Sequence, residues 1–462
     1  MKTAIIGAGI TGLSAAYCFA KHTENNTVHL FDSRARIGGV LETVNKNGCQ
    51  IEQSADNFIT TVPWGVELCK ELCLESELVQ TNPQMRRTYV VRKNKLHLLP
   101  DGFLMMAPTR LVPLALTPLL SPFGKLRAAL EYIIPPRKDD VDESMANFVR
   151  RRLGKEVFER MVEPLVSGFY ASDMEKLSVL ATLPRFREME RKDGSLIRAM
   201  QKQLKANRAA HLAEQSGARY SMFVTLRSGL TTLCQTLADK LPKDCITLNC
   251  KIECLTKSPS GKWIVGDTEF DNVIIATSAV DASRLLTDSL PELSAQLHKI
   301  FYEDSVVITF AFRQEQINVP IRGMGFVVPK TEGSPVLAGS FSSMKYEHRS
   351  AEGIALIRVF SGGARLPNAA SMPDEELIPL LCGGIKPVLK IEGEPLWTES
   401  AHWQRAMPQY YVGHRELIAD IESLAAKEPA LALAGNYFNG VGIPNCIHSG
   451  KQAVGKIIER RV

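Results

Sequence analysis

A mixed α/β fold is predicted for this 462-residue chain by three patterns in its sequence. The first forty residues alternate apolar strand-like runs with one helical run, which is typical of a parallel sheet. Residues near 96 to 210 carry apolar side chains at helical spacing, and residues near 301 to 405 alternate in strand fashion. We therefore expect a parallel-sheet domain, a helical domain and a separate antiparallel sheet.

The first predicted strand runs into a glycine-rich loop. The run Ala4 to Ile6 precedes a G-x-G-x-x-G pattern, and an alanine-rich helical run from Leu13 to Ala20 follows it; the pattern consists of Gly7, Ala8, Gly9, Ile10, Thr11 and Gly12. In such a loop the first glycine permits the tight turn, the second lets a pyrophosphate approach the backbone, and the third lets helix and strand pack closely. Asp32 ends the next strand, Val28 to Phe31, twenty residues after Gly12, where a ribose-binding acid is expected. An ordinary tight turn is the alternative, but strand, helix and acid together predict a Rossmann-like unit that binds a dinucleotide.

The residues after this acid indicate which dinucleotide is bound. Asp32, Arg36, Gly38 and Gly39 form the pattern D-x-x-x-R-x-G-G, which resembles the extension found in the flavin-containing amine oxidase superfamily. The glycine pair would let more backbone lie against the phosphates, and Arg36 would offer them a delocalised cation. A hairpin turn would explain the glycine pair by itself. Joined to the first loop, the pattern favours FAD.

Later segments are expected to complete the parallel sheet. A helix is predicted to follow Arg227–Leu230 and to reach Leu241, and a strand is predicted over Cys245–Cys254. Trp263–Val265 and Asn272–Thr277 continue in strand rhythm, and the second of these is apolar almost throughout, as in a strand buried on both faces. The first domain is therefore expected to be discontinuous in sequence.

One amphipathic helix is predicted in the middle of the chain. Apolar side chains recur at three- and four-residue steps from Met145 to Leu165, with Ser144 as the candidate N-cap and Gly154 as a candidate break. Upstream, the run Leu111 to Gly124 contains three prolines and is too short to span a membrane. Contact of this region with a lipid surface is left open.

The chain ends with a second glycine-rich stretch, Leu433 to Pro444, followed by a helix predicted over Lys451–Arg460. Glycines here again suggest backbone that approaches a ligand closely, although a plain loop before a terminal helix is the alternative. On the functional interpretation, backbone amides and a helix N-terminus face the flavin ring and stabilise negative charge on it.

The composition narrows the classes of partner. The net charge of +5 is mild and gives no indication of nucleic-acid binding. The ten cysteines form no C-x-x-C pair, which favours reduced thiols in a cytoplasmic protein, and the first strand begins too early for a leader peptide. We find no Ser/His/Asp constellation and no metal-ligand spacing, so neither a catalytic side chain nor a metal is predicted.

Several interior blocks together resemble the oxygen-dependent porphyrinogen oxidases, that is, protoporphyrinogen oxidase and the flavin-type coproporphyrinogen III oxidase. The resemblance runs almost end to end; the most specific blocks are residues 95–102, 151–157, 163–171, 176–178, 408–414 and 440–450. It implies an FAD-binding domain over 1–61, 215–300 and 405–462, a substrate-binding domain over 62–95 and 301–404, and a helical, membrane-facing domain over 96–214.

The resemblance also implies which residues contact the flavin and the substrate. Beyond the two glycine loops, Asp32 and Arg36, the implied flavin contacts are Val40, Ser54, Ala55, Asp56, Asn57, Ile252, Ala276, Thr277, Gly435, Val441, Gly442 and Ile443. The implied substrate contacts are Arg86 for a propionate, and Gly168, Phe169 and Phe326 for the ring. The chain departs from the family pattern at Ser54 and Ser172, where glycine is usual, and at Asn445, where aspartate is common.

The implied reaction is oxidation of protoporphyrinogen IX to protoporphyrin IX in haem biosynthesis. Six electrons leave in three hydride transfers to flavin N5, and molecular oxygen reoxidises the flavin with release of hydrogen peroxide. Oxidation of coproporphyrinogen III to coproporphyrin III by the same chemistry is the alternative, and an amine oxidase or a flavin-free escort protein of the same fold is more distant. Attachment to the cytoplasmic membrane and contact with haem-pathway enzymes are left open.

Overall fold

A parallel five-stranded sheet forms the first layer of the computed structural model, which describes residues 1–22, 27–213 and 222–459. Across the sheet the strands run in the order Ile246–Thr247, Thr27–Phe31, Lys2–Ile6, Asn272–Ile275 and Leu431–Leu433, and every neighbouring pair is parallel. The strand predicted over Cys245–Cys254 is therefore wrong in length. Asn249 adopts a left-handed φ of 53°, so the extended strand ends after Thr247.

Two helices cover one face of this sheet. Helix Ile10–His22 begins three residues before the predicted run, and the terminal helix Ile443–Glu459 begins eight residues before its prediction. They pack so closely that a Cβ on Gly450 would lie 2.3 Å from the carbonyl oxygen of Thr11. Arg460, the predicted end of the terminal helix, and the predicted domain boundary between residues 214 and 215 lie outside the described residues.

A seven-stranded sheet forms the second layer, as the strand rhythm near 301 to 405 predicts. Its order is Trp397–Pro408, Tyr302–Arg313, Ile354–Gly362, Ala338–Phe341, Gly325–Val327, Thr88–Arg92 and Lys95–Leu98. All neighbours are antiparallel except Gly325–Val327 and Thr88–Arg92, which run parallel. Helix Asp374–Leu389 buries one face of the sheet in an apolar core.

The helical layer contains eight helices within 111–213: Leu111–Leu116, Pro122–Ala129, Met145–Leu153, Lys155–Val157, Glu163–Tyr170, Val179–Thr182, Pro184–Asp193 and Leu196–Ala213. The predicted cap and break are confirmed. The Ser144 hydroxyl accepts from the amide of Asn147 at 3.2 Å, and Gly154, at φ 91°, ends the first segment of the long pattern. A π turn at Phe158–Val162 then leads into the helix that ends at Tyr170.

A buried ion pair holds this helical layer together. Arg152 and Glu131 are both fully buried, and their side chains are paired. Glu131 also accepts from the Ser195 hydroxyl at 2.6 Å and from the Leu196 amide at 2.8 Å. Because each charge has several partners, the pair is tolerated away from water.

Shorter elements link the three layers. The strands are Thr43–Lys46, Cys49–Glu52, Phe58–Ile59, Leu78–Gln80, Phe103–Leu104, Ala107–Pro108, Phe223–Leu226, Leu255–Lys257, Trp263–Val265 and Thr268–Phe270, and the helices are Trp64–Glu71, Thr231–Asp239, Ala279–Leu286, Pro291–His298, Ser342–Lys345 and His414–Ala426. The helix predicted to reach Leu241 is thus confirmed over Thr231–Asp239.

Large apolar side chains lie exposed on the helical layer. Leu116, Phe123 and Ile133 are 77%, 83% and 71% exposed, respectively. Among the described residues no helix is both long enough and apolar enough to cross a bilayer.

Candidate functional site

The candidate site begins at one edge of the parallel sheet. Because parallel strands all point the same way, the segments that follow Ile6, Phe31, Ile275 and Leu433 emerge together at their carboxyl ends. These segments hold the predicted flavin-binding residues Gly7 to Gly12, Asp32, Ala276, Thr277 and Gly435. The topology therefore brings together residues that lie more than 400 positions apart.

The glycine loops form a cradle of bare backbone, in which added side chains would overlap neighbouring backbone atoms. Gly7 has φ 105°, and a Cβ there would lie 2.8 Å from the Ala276 oxygen; a Cβ on Gly12 would lie 1.8 Å from the Gly7 oxygen. The second loop abuts the first, since the Gly38 amide donates to the Ala8 oxygen at 2.8 Å. A Cβ on Gly39 would lie 3.1 Å from Gly9 Cα. Ile10 and Thr11 are buried in the helical turn behind the loop.

Asp32 is fixed by the loops themselves. Its carboxylate accepts from the Ala8 amide at 2.6 Å and from the Arg34 amide at 2.8 Å. Arg36 has partners within the chain: its guanidinium pairs with Glu42 at 2.6 Å and donates to the Ile37 oxygen at 3.1 Å. The contact of Arg36 with a cofactor phosphate stays a prediction. Val40, two residues before Glu42, is 39% exposed.

The predicted contacts Ser54, Ala55, Asp56 and Asn57 follow strand Cys49–Glu52. The Ser54 hydroxyl is buried and has no partner among the described residues, whereas Ala55 is exposed. Asp56 is buried and lies 3.0 Å from Lys345 Nζ and 3.2 Å from Arg358 Nη1. Burial by itself would raise the pKa of Asp56, but Lys345 and Arg358 outweigh it and hold that pKa below its ordinary value.

The terminal glycine stretch lies at the same edge. The Gly435 amide donates to the Ser449 hydroxyl at 3.0 Å, and Val441 and Gly442 lead into the helix that starts at Ile443. Asn445 explains its departure from the family pattern, since its amide donates to the Asn439 oxygen at 2.9 Å, which an ionised aspartate could not do. Ile252 is buried on the segment that leaves the edge strand, and its carbonyl accepts from Arg284 at 3.1 Å.

Tyr410 holds this terminal stretch in place. Its buried hydroxyl donates to the Asn436 oxygen and accepts from the Gly440 amide at 3.1 Å. Its ring stacks on His414 at 4.4 Å, and His414 itself contacts the Tyr437 oxygen at 2.9 Å. Burial raises the pKa of Tyr410 well above its ordinary value, so the phenol keeps the proton it donates. The sequence pattern around 408–414 indicated the family but not this role.

The arrangement fits a flavin dinucleotide. A bare backbone cradle at helix N-termini suits a pyrophosphate. The unpartnered Ser54 hydroxyl offers a polar group to a ring system. The segments that follow the parallel strands, with Gly7 to Gly12, Asp32, Ala276 and Gly435, meet at the carboxyl end of the sheet.

The predicted substrate residues separate into two groups. A Cβ on Gly168 would lie 3.5 Å from Ala338 Cβ and 3.9 Å from Val327 Cγ1, so this helix packs on the face of the large sheet that carries those residues. Phe326 lies on the opposite face, where it packs 5.6 Å from Phe341 beneath helix Asp374–Leu389. The expectation that Phe326 shares a cavity with Gly168 is therefore wrong, because neighbouring residues of a strand point to opposite faces. Phe169 is 52% exposed.

Arg86 lies on an exposed loop beside the flavin segment. The loop begins at Asn82, whose amide donates to the Lys345 oxygen at 3.0 Å, and the Lys345 ammonium in turn pairs with Asp56. This contact joins the start of the loop to the residue whose side chain pairs with Asp56, and Arg86 itself is exposed. Arg87 is exposed on the same loop.

A cavity of about 290 Å³ opens at the end of helix Glu163–Tyr170. Its lining includes Ser167, Ser172, Lys330, Leu337 and Arg365. The Ser172 hydroxyl is buried and has no partner in the described part of the chain. Arg365 pairs with Glu163 at 3.2 Å, yet burial raises the pKa of Glu163. The volume is at the lower end of the range for small-molecule pockets.

Comparison with known proteins gives the family. The model for flavin-containing amine oxidoreductases matches residues 10–458 of the chain. The chain belongs to this family. It is accordingly an FAD-dependent oxidoreductase.

Individual relatives cover nearly the whole chain. The coproporphyrinogen III oxidase of Bacillus subtilis (strain 168) is 34% identical over 97% of this chain and 96% of its own length. The chloroplastic protoporphyrinogen oxidase of Nicotiana tabacum is 28% identical over 98% of this chain and 84% of its own. The crystal structure of an Exiguobacterium sp. 255-15 protein, provisionally described as a protoporphyrinogen oxidase, superposes with a TM-score of 0.86 at 27% identity and covers 99% and 98% of the two chains.

Proposed function

We propose that this protein oxidises a porphyrinogen to the corresponding porphyrin as a step of haem biosynthesis. The observation that supports this most directly is the similarity to porphyrinogen oxidases, which runs over 97% to 99% of the chain at 28% to 34% identity. The glycine cradle expected to hold the flavin has no catalytic side-chain constellation predicted beside it. Bound FAD supplies the electron acceptor for three two-electron steps, and molecular oxygen restores it with release of hydrogen peroxide. We further propose that the FAD, substrate and helical domains divide as the sequence predicts.

The residues of the chain bind and orient the reactants in this proposal. Gly7 to Gly12 and Gly38 to Gly39 present backbone to the pyrophosphate, and Asp32, already aligned by two amides, receives the ribose. The start of helix Ile443–Glu459 presents its amides to the ring system. Macrocycle contacts are assigned to Gly168 and Phe169, since Phe169 is 52% exposed and offers an aromatic ring to a flat substrate.

Two substrates remain candidates, and each has an observation in its favour. Three relatives with 30% to 34% identity are coproporphyrinogen III oxidases, which favours the substrate with four propionates. Protoporphyrinogen oxidases from plants and fission yeast match over 96% to 99% of the chain at 25% to 28% identity, which favours the substrate with two propionates.

Initial rates decide between these candidates. Each porphyrinogen is prepared anaerobically, mixed with aerated enzyme, and followed by the gain in porphyrin fluorescence with parallel measurement of peroxide. The compound with the higher kcat/KM is the substrate. Peroxide formed from simple amines and from neither porphyrinogen would instead make the protein an amine oxidase. Flavin absorbance near 450 nm in the purified protein separates all of these from a flavin-free escort protein.

Arg86 is the proposed propionate cation. Replacing Arg86 by alanine should raise KM for the porphyrinogen and leave kcat nearly unchanged, since the charge acts on binding. Arg87→Ala is the matched control, because it removes an exposed cation from the adjacent position. An unchanged KM in both variants would remove this loop from the substrate site.

A further inference from the structure

A cluster of buried charges lies directly behind the predicted flavin segment. It consists of Glu52, Asp56, Lys345, Arg349 and Arg358, and none of these side chains is more than 14% exposed. Asp56 pairs with Lys345 and Arg358, while Arg349 pairs with Glu52 at 3.1 Å. No sequence motif indicated this cluster, because its cations lie about 290 to 300 residues from its carboxylates.

The cluster is joined to the flavin segment through the backbone. Arg358 donates to the Ser54 oxygen, and Arg349 donates to the Asp56 oxygen at 3.4 Å. The cations therefore lie within one hydrogen bond of the residues that are expected to face the cofactor. Ser54 is also one of the two positions at which this chain has serine where the family usually has glycine.

The charges of this cluster do not cancel. Three cations face two carboxylates, which leaves a net charge of +1 away from water. The Nε atoms of Arg349 and Arg358 are buried without a hydrogen-bond partner among the described residues. A buried cation with free donors attracts negative charge strongly, because the interior screens it poorly.

We propose that Lys345 and Arg358 stabilise the negative charge that FAD gains on reduction, and so raise its reduction potential. Their positive charge lies behind the Ser54–Asn57 segment and attracts the negative charge of the reduced flavin ring system across that segment. Burial lowers the pKa of both cations and raises that of Glu52, while the pKa of Asp56 stays low because of its two partners. Protonation of Glu52 would increase the excess of positive charge. This inference needs bound FAD but is independent of which substrate the enzyme uses.

Two variants with opposite charge changes test the proposal. Lys345→Met removes one positive charge, so the equilibrium constant for two-electron reduction of FAD should fall at least tenfold. This corresponds to a midpoint potential that is lower by about 30 mV. Asp56→Asn removes one negative charge and should move the same equilibrium upward by a comparable factor. The midpoint potential is measured anaerobically on the holoenzyme by dye equilibration. Sulfite, which leaves a negative charge on the oxidised flavin it binds, should likewise bind more weakly to Lys345→Met and more tightly to Asp56→Asn.

Controls separate a charge effect from disturbed packing. Lys345→Arg keeps the charge and should restore most of the potential. Lys386→Met removes the cation of a distant surface pair with Glu394 and should leave both readouts unchanged. Shifts of the same sign in Lys345→Met and Asp56→Asn, or shifts smaller than tenfold, would overturn the proposal. So would folded variants that both fail to bind FAD, because the cluster would then only shape the pocket.

Discussion

Adding one methyl group at Gly12 should disrupt cofactor binding. Gly12 lies in helix Ile10–His22, where alanine would ordinarily gain about 1 kcal/mol over glycine. Here, however, the new Cβ would lie 1.8 Å from the Gly7 oxygen and 3.0 Å from its carbonyl carbon. The loop or the helix must move by more than 1 Å to relieve this overlap, and overpacking of this kind costs about 1–3 kcal/mol.

The displacement falls on the amides that are expected to hold the pyrophosphate. Losing one hydrogen bond to a charged group costs about 1.5–3 kcal/mol, which corresponds to a dissociation constant for FAD roughly 10- to 150-fold higher. The assay is titration of Gly12→Ala apoprotein with FAD, followed by quenching of flavin fluorescence. Gly383→Ala is the matched control, because this helical glycine has no neighbour within 4 Å of the added Cβ. Equal FAD affinity in the two variants would refute the proposed cradle.

Three further predictions concern buried polar groups. Arg152→Ala leaves Glu131 buried without its cation, so it should lower the free energy of unfolding in urea melts by about 3–5 kcal/mol. Arg191→Ala, which removes the exposed pair with Asp140, should lower it by less than about 1 kcal/mol, and similar losses in the two variants would contradict this prediction. Tyr410→Phe should cost about 1–3 kcal/mol and weaken FAD binding, because Asn436 and Gly440 lose their partner; unchanged values in melts and titrations would exclude the anchoring role. The pKa of Asp56 is lowered in the folded protein, so the stability that its charge contributes is present above the unfolded pKa of about 3.9 and is lost as pH falls below that value. The free energy of unfolding of Asp56→Asn should therefore decrease less steeply with falling pH than that of the wild type, and equal slopes in acid would contradict this.

The glycine loops at the carboxyl end of the parallel sheet could be predicted from the sequence, because they depend on residues close together in the chain. The turn after Ile6 needs glycine whatever surrounds it, since Gly7 has a positive φ and Gly12 touches the Gly7 oxygen. Spacing then places Asp32 at the end of the neighbouring strand, and the structure confirms that strand and its parallel pairing. The cap at Ser144 and the break at Gly154 are local in the same way.

Side-chain partners were the part that local patterns could not determine. Arg36 matches its motif, yet in the folded chain it pairs with Glu42, and Phe326 alternates in the right rhythm but points to the far face of its sheet. Both outcomes depend on which segments pack together.

The sequence by itself determined a parallel-sheet nucleotide-binding unit, its glycine turns and its FAD specificity, because backbone conformation and strand spacing are properties of neighbouring residues. Only the tertiary structure decided that Lys345 and Arg358 meet Asp56 behind the flavin segment, and that Tyr410 supports the terminal glycines. Charges and hydroxyls far apart in the chain become partners only when burial removes water as their alternative.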